Sequence, residues 1–183
     1  MMNIDLQQFC GADETRPYLM KPFSLGEFSY ATNGHILVRV ARLEGVDPPA
    51  KTFNPEKPLE GIEAASFAAP YFKLPAEPED TECEDCDGRG CEHECPECHC
   101  ICRACAGTGS QAAEGDYSTT YEGVNFALRY VRKMLALPGI EIAKPRTADA
   151  PLLFRFEGGV GAVMPQRGES ANHIEVFKRP VSA

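Results

Sequence analysis

The chain has little that would place it in or across a membrane. Its N-terminal sequence, Met-Met-Asn-Ile-Asp-Leu-Gln-Gln, has no basic segment followed by an apolar run, although secretory leaders need both. No apolar stretch approaches the roughly 20 residues that span a bilayer. These features predict a soluble, cytoplasmic protein whose thiols stay reduced. The odd count of nine cysteines also argues against a secreted disulfide framework.

Basic residues are also scarce. The chain has 18 Lys and Arg against 27 Asp and Glu, a formal net charge of −9. Most of the excess lies in residues 77–105, which carry ten acids and two bases. Because nucleic-acid modules place Lys and Arg against phosphate, DNA should repel this acidic segment. We therefore expect the segment to contact a protein partner.

Familiar catalytic motifs are missing as well. The sequence contains no Gly-x-Ser-x-Gly motif, no Walker-type phosphate loop and no His-Glu-x-x-His motif. These motifs supply a serine nucleophile, a phosphate cradle and a catalytic zinc site, respectively. We therefore expect a protein that is not an enzyme.

Cysteine is abundant, and eight of the nine cysteines lie within residues 83–105. The segment begins with Cys83-Glu-Asp-Cys86-Asp-Gly-Arg-Gly90 and ends with Cys102-Arg-Ala-Cys105-Ala-Gly-Thr-Gly109. Cysteines three residues apart can direct both sulfurs at one tetrahedral ion. The glycines that follow permit a positive-φ turn whose N–H groups point back at the sulfurs. The pattern predicts a structural zinc module with one or two ions, two being favoured.

The candidate zinc ligands are the eight clustered cysteines, Cys83, Cys86, Cys91, Cys95, Cys98, Cys100, Cys102 and Cys105. His93 or His99 could replace one of the inner cysteines, and some inner cysteines could instead be spare thiols. Prolines and acids before the segment, and glycines after it, mark it as an insertion at residues 75–115. Residues 1–74 and 116–183 would then form one discontinuous domain.

The flanking sequence has the pattern of an α+β domain with mostly antiparallel strands. Asn33-Gly34 is a strong hairpin signal because both residues tolerate positive φ. A short helix is expected at residues 5–10, capped by Asn3 or Asp5, and a second helix at 125–137. Residues 44–65, with four prolines, should be an irregular connector. The expected strands are 17–23, 27–31, 35–43, 67–74, 117–121, 140–143, 152–157, 160–164 and 174–177. In the strand at 35–43, Ile36, Val38 and Val40 are expected to face one side and Arg39 the other.

The second helix is expected to be amphipathic. Its apolar stripe would consist of Phe126, Ala127, Tyr130, Val131, Met134 and Leu135. Three cations, Arg129, Arg132 and Lys133, would share the opposite face. The simplest interpretation of these cations is a solvated face near the helix C-terminus, where the macrodipole favours positive charge.

Four landmarks, in order, resemble the bacterial sliding clamp, the beta subunit of DNA polymerase III. The landmarks are Asp13-Glu-Thr-Arg-Pro-Tyr-Leu19, Ala31-Thr-Asn-Gly-His35, the segment from Gly123 to Leu135, and Val163-Met-Pro-Gln-Arg167. The resemblance covers the chain apart from about residues 44–115 and the tail. It implies a clamp-like domain of two βαβββ halves, in which helices lie on one face and sheet edges pair between domains.

The resemblance also implies roles for particular residues. In clamps the helices line a hole around DNA, so Arg129, Arg132 and Lys133 would face the duplex. Clamps also capture partner peptides in a pocket, which here would be formed by Thr32, Gly34, His35, Leu37, Met164, Pro165 and Arg167. A clamp chain has three domains and closes as a dimer, whereas this chain has room for one. Duplex DNA is therefore an expected partner only if copies assemble into an oligomer, with the sheet edges as the expected contact.

The cysteine segment resembles a second family, the DnaJ-type zinc-binding region with its Cys-x-x-Cys-x-Gly-x-Gly units. In that family the first and last units come together, which implies that Cys83, Cys86, Cys102 and Cys105 share one zinc. The two resemblances predict a clamp-like replication accessory or adaptor with a zinc module for protein contact. The alternative is a DnaJ-like module that binds unfolded or partner polypeptides on an inert scaffold.

Overall fold

A computed structural model gives the fold of the chain and describes residues 4–11, 16–49, 51, 53–76, 81–90, 102, 109–111, 117–167 and 172–178. The elements in chain order are β1 Phe23–Leu25, β2 Phe28–Thr32, β3 Ile36–Ala41, β4 Phe67–Ala68, β5 Thr81–Glu82, β6 Ser110–Gln111, β7 Tyr117–Tyr121, β8 Val124–Ala127, α1 Leu128–Leu135, β9 Glu141–Ala143, β10 Leu152–Phe156, β11 Gly159–Val163 and β12 Asn172–His173. Short 3₁₀ helices occupy Leu6–Phe9, Pro17–Leu19, Lys57–Leu59 and Ile62–Ala64. In the part of the chain described, none of the helices combines the length and apolarity required to span a bilayer.

A seven-stranded antiparallel sheet is the centre of the fold. Its strand order is β1-β2-β3-β11-β10-β9-β4. Two smaller sheets accompany it, a three-stranded one of order β12-β7-β8 and the two-stranded pair of β5 and β6. Among the strands that the structure describes, all pairings are antiparallel except that of β12 with β7. The architecture is α+β with mostly antiparallel sheets, which confirms the predicted fold class at this level.

The large sheet is covered on both faces. On β3, Ile36, Val38 and Val40 enter one core, as predicted from their alternation, and α1 contributes Leu128, Val131 and Met134 to the same core. Leu37 points to the other face. There it joins a second, smaller core that also contains Tyr30, Leu153 and Ala162 from the sheet and Leu59 and Ile62 from the connector. The connector is therefore packed against the sheet and is one layer of the domain.

The β2–β3 hairpin forms at Asn33-Gly34, as the sequence predicted. The Asn33 side-chain oxygen accepts hydrogen bonds from the backbone N–H groups of His35 and Ile36, at 2.9 and 3.1 Å. Gly34 has a φ of 91°, which glycine adopts without a steric penalty. The Thr32 hydroxyl accepts a bond from the Gly34 N–H at 3.0 Å. The turn is therefore stabilised by hydrogen bonds between residues two or three apart, which the local sequence predicts.

The predicted helix at 125–137 begins three residues too early. Residues Val124–Ala127 are instead strand β8, paired with β7, so Phe126 and Ala127 belong to a strand and not to the helical stripe. The turn before β8 uses positive φ at Glu122 and Gly123, which starts a hairpin at this point. The remaining stripe is confirmed, since Tyr130, Val131, Met134 and Leu135 are buried on α1.

The N-terminal predictions are partly wrong. The predicted helix at 5–10 is a 3₁₀ helix whose Asp5 side chain accepts a bond from the Gln7 N–H at 2.9 Å, and Asn3 lies outside the described residues. The predicted strand at 17–23 is a 3₁₀ turn at Pro17–Leu19 followed by the short strand β1. The Leu19 N–H bonds the Arg16 carbonyl at 2.9 Å. Proline lacks an N–H and has a fixed φ, so Pro17 suits the start of such a turn.

Two further strand predictions, at 67–74 and 174–177, are too long. Only Phe67–Ala68 pairs with β9, and Phe72 makes a single bridge with Phe177. The Lys73 N–H bonds the Val176 carbonyl, and the Lys178 N–H bonds the Tyr71 carbonyl, each at 2.9 Å. The two segments therefore contact each other, but Pro70 and Pro75 in the first segment cannot donate to a ladder.

Candidate functional site: a cysteine cluster and an apolar pocket

Three of the predicted metal ligands lie together. The sulfur atoms of Cys83, Cys86 and Cys102 lie within 4.8 Å of one another. All three residues are buried, with exposures of 0%, 0% and 1%. The cluster therefore brings the first Cys-x-x-Cys unit against the first cysteine of the last unit, which lies 16 residues after Cys86.

Backbone hydrogen bonds join the two units. The pairing of β5 with β6 brings Glu82 beside Ser110, and the Cys83 N–H bonds the Gly109 carbonyl at 3.0 Å. The Cys102 N–H bonds the Gly90 carbonyl, also at 3.0 Å. The Gly90 N–H points at the Cys86 sulfur at 3.3 Å. This last contact is the N–H to sulfur bond that the glycine spacing predicted.

Glycine is required where the two units meet. Gly88, Gly90 and Gly109 have φ values of 71°, 72° and 76°, a region that other residues enter only with strain. A Cβ atom on Gly109 would lie 2.1 Å from the Gly88 carbonyl oxygen. The two glycine turns therefore pack backbone against backbone, and no side chain fits between them.

The sulfur spacing suits a shared metal ion. The Cys83 and Cys102 sulfurs are 3.9 Å apart, far longer than a disulfide bond of about 2.04 Å. A tetrahedral zinc with bonds of about 2.3 Å to sulfur places its ligands about 3.8 Å apart. Three buried thiols at this spacing could hold a metal ion. The identity of the metal and the number of ions stay predictions.

The other predicted ligands cannot be placed. Cys105 and all of residues 91–100 lie outside the residues that the structure describes. The roles of Cys91, Cys95, Cys98 and Cys100, and of His93 and His99, therefore remain as predicted from the sequence. Four acids in or next to the first unit are exposed, namely Glu82, Glu84, Asp85 and Asp87.

An apolar pocket of about 330 Å³ lies at the end of the β2–β3 hairpin. Its lining includes Thr32, Gly34, His35, Leu37 and Met164, which are five of the seven residues that the sliding-clamp resemblance assigned to a peptide pocket. The volume falls in the usual range of ligand pockets, roughly 300 to 1,000 Å³. The pocket is open to solvent at Met164, which is 36% exposed.

Pro165 and Arg167 do not line this pocket. The Met164 N–H bonds the His35 carbonyl at 2.7 Å, and the Gln166 N–H bonds the Asn125 carbonyl at 2.8 Å. The chain therefore leaves the pocket after Met164 and runs toward β8.

Sequence reasoning missed nine of the fourteen residues that line the pocket. Arg16, Tyr18 and Leu19 line one side, and the connector contributes the set that we call the pocket wall, Phe53, Asn54, Pro55 and Pro58. The first three belong to a segment that the clamp resemblance included, so a signal for them existed. The pocket wall belongs to an irregular segment, and its sequence pattern gave no sign of where it would pack.

His35 lies between the pocket and α1. Its ring stacks on Tyr130 with centroids 5.3 Å apart and planes 9° apart. Burial lowers the pKa of the His35 imidazole, and the positive charges of Arg129 and Arg16 lower it further. At a given pH, less of this side chain is therefore protonated than of a free imidazole.

The three cations of α1 are in different surroundings. Arg129 is exposed, and its guanidinium lies 4.9 Å from the centre of the Tyr130 ring. Arg132 donates to the Pro75 carbonyl at 3.1 Å, and Lys133 donates to the Gln8 carbonyl at 2.7 Å. Two of the three cations therefore tie α1 to neighbouring segments of the same chain.

The chain was compared with family models, curated proteins and solved structures. No family model, no curated protein and no solved structure matches the chain.

Proposed function

We propose that this chain is a non-enzymatic, clamp-like adaptor that captures an apolar segment of a partner protein in the pocket beside the β2–β3 hairpin. The single observation that carries the proposal is that five residues assigned to a peptide pocket by resemblance line one cavity. Those residues come from two distant parts of the sequence, 32–37 and 164. A peptide's apolar side chains would bury surface there, at about 25 cal/mol per Å² removed from water.

The lining suits a peptide with aliphatic or aromatic anchors. Most lining residues are apolar, and the polar ones are few, namely Arg16, Thr32, His35 and Asn54. Pockets of this kind obtain affinity from the apolar anchors and orientation from the few polar groups. The Thr32 hydroxyl donates to the Ile36 carbonyl at 2.7 Å, and the Asn54 side-chain oxygen accepts from the Glu56 N–H at 3.0 Å. The His35 ring and the Asn54 amide N–H group are the polar groups that would orient the peptide backbone.

We further propose that the cysteine cluster binds zinc as a closed structural site, with Cys105 as the fourth ligand and a second ion on the inner cysteines. Tetrahedral four-thiolate coordination is common for structural zinc. The surrounding acids favour a protein contact on this module over a nucleic-acid contact. Native mass spectrometry tests this directly, because one spectrum reports the zinc ions per chain and the chains per particle.

The protein-adaptor form of the clamp-like proposal is favoured over a DNA-encircling ring. A ring would need several copies joined at sheet edges, and the edge strands of the large sheet, β1 and β4, have three and two residues. On β1, the Ser24 N–H is already bonded to the Asp47 carbonyl at 2.8 Å. Light scattering that shows oligomers, together with duplex DNA binding at low salt, would restore the replication-clamp form.

The peptide proposal is tested with fluorescein-labelled heptapeptides that carry two leucines and a phenylalanine between serines, in every order. Binding is measured by fluorescence anisotropy. The substitution Met164→Glu places a charge in the pocket mouth and should weaken binding by about tenfold or more, since burying an unpaired charge costs over 1.4 kcal/mol. Leu43→Glu is the matched control, because Leu43 is 37% exposed and lies outside the pocket lining. Failure of every peptide to bind the unmodified protein would overturn the proposal.

A further inference from the structure

One carboxylate joins the pocket wall to the sheet, in addition to the packing of Phe53 on Phe23. Glu56 lies between Pro55 and Pro58 of the wall. Its side chain accepts a hydrogen bond from the Tyr30 hydroxyl and a second, charged one from Arg39 Nη1 at 2.8 Å. Tyr30 is on β2 and Arg39 is on β3, so the carboxylate joins the wall to both strands of the hairpin that forms the opposite side of the pocket.

The two donors are themselves fixed. Tyr30 is 2% exposed, and its ring stacks on Phe23 with centroids 5.4 Å apart. The Arg39 side chain is only 14% exposed, and its guanidinium lies 4.5 Å from the centre of the Phe28 ring. Arg39 also approaches Glu63, at 3.8 Å. Because the donors cannot move far, they determine where the Glu56 carboxylate sits.

The backbone of the wall depends on the position of Glu56. The Glu56 carbonyl accepts a bond from the Leu59 N–H at 2.9 Å, which starts the 3₁₀ turn at Lys57–Leu59. Leu59 is buried in the second core at 2% exposure. The Asn54 side chain accepts a bond from the Glu56 N–H at 3.0 Å. A shift of Glu56 would therefore move Asn54, Pro55 and Pro58 together.

We infer that Glu56 is the positioning residue of the pocket, which sets the wall in place through Tyr30 and Arg39. The inference rests on the proposed function, since it concerns how the same pocket is made ready for a peptide. If the wall is already ordered before the peptide binds, the binding free energy is not reduced by the entropy lost in ordering it. Without the carboxylate, Arg39 would also be left with less compensation for its burial.

The test compares Glu56→Gln, which keeps the shape and removes the charge, with Glu60→Gln, an exposed carboxylate on the same connector. Tyr30→Phe removes only the hydroxyl donor and keeps the core ring. Hydrogen exchange followed by mass spectrometry reports on residues 53–65, and anisotropy reports affinity for the labelled heptapeptide. The Glu56 side chain is 43% exposed, so we expect Glu56→Gln to speed exchange in 53–65 and to weaken peptide binding by about threefold. Tyr30→Phe should do both to a smaller extent, and Glu60→Gln should do neither.

The two readouts separate this inference from the proposed function. If exchange in 53–65 is unchanged in Glu56→Gln, the carboxylate does not hold the wall and the inference is overturned. If exchange rises but peptide affinity is unchanged, the wall is not part of the binding site and the inference is again overturned. If the unmodified protein binds no heptapeptide, the proposed function fails, and the exchange result alone decides whether Glu56 positions the wall.

Discussion

The packing of Gly109 on Gly88 gives the sharpest test of the cysteine cluster. In Gly109→Ala, the new Cβ would lie 2.1 Å from the Gly88 carbonyl oxygen and 2.9 Å from the carbonyl carbon, where ordinary contacts begin at 3.4 Å. Both partners are backbone, so no side-chain rotation relieves the clash. The two cysteine units must therefore separate by more than 1 Å, if the contact is to become ordinary.

A separation of that size is large for a metal site. Metal–ligand distances in a well-formed site stay within about 0.2 Å of their ideal values. The Cys83 N–H bonds the Gly109 carbonyl, so a movement of Gly109 also displaces a ligand. We expect Gly109→Ala to weaken metal binding by about tenfold or more, which corresponds to at least about 1.4 kcal/mol.

The matched control is Gly45→Ala. Gly45 has the same φ as Gly109, +76°, but a Cβ there would meet nothing within 4 Å. Both variants carry the backbone cost of about 1 to 2 kcal/mol for a left-handed residue, and only Gly109→Ala adds the clash at the cluster. Gly45→Ala should therefore lower the free energy of unfolding by about 1 to 2 kcal/mol and leave metal affinity unchanged.

The assay is a cobalt titration of the reduced protein, followed by the thiolate-to-cobalt absorbance and by competition with a chelator. The inner cysteines are unchanged in both variants, so the comparison between variants reports on the cluster. Equal cobalt affinity for Gly109→Ala and the unmodified protein, within twofold, would show that the two cysteine units do not meet as described.

Two other predictions concern the pocket and the sheet beneath it. The lowered pKa of His35 means that the unfolded chain takes up a proton before the folded one, so this group's stabilisation is full above about pH 6.5 and declines as the pH falls below it. The free energy of unfolding of the unmodified protein, measured in urea relative to that of His35→Gln, should therefore fall between pH 7.5 and pH 5.5, and a constant difference would contradict the assignment. A Cβ on Gly161 would lie 2.4 Å from the Leu37 carbonyl oxygen and 2.2 Å from the Phe154 ring, so Gly161→Ala should lower the free energy of unfolding by about 2 kcal/mol or more. Urea titration checks this against Gly11→Ala, where a Cβ would make only ordinary contacts of 3.6 Å or more, and equal losses would refute the close approach.

Features that depend on neighbours in the chain could be predicted from the sequence. The hairpin at Asn33-Gly34 follows from side-chain bonds within three residues, and Asp5 caps its own short helix. Alternation along β3 predicted which side chains enter the core. The glycines after Cys86 predicted the turn whose N–H group bonds the sulfur. In each case the interaction is local, so the residues that make it are adjacent in the sequence.

Other features were decided by contacts between distant segments. The apolar pattern predicts a helix from residue 125, but the pairing of β8 with β7 makes residues 125–127 part of a strand. Arg132 and Lys133 look like a free cationic face, but carbonyl groups 57 and 125 residues away accept their hydrogen bonds. The pocket wall is set by Glu56, whose partners Tyr30 and Arg39 lie on β2 and β3. A sequence pattern shows each residue's preference for helix or strand. Burial and pairing between distant segments determine which preference prevails, because the free energy of packing exceeds that of local propensity.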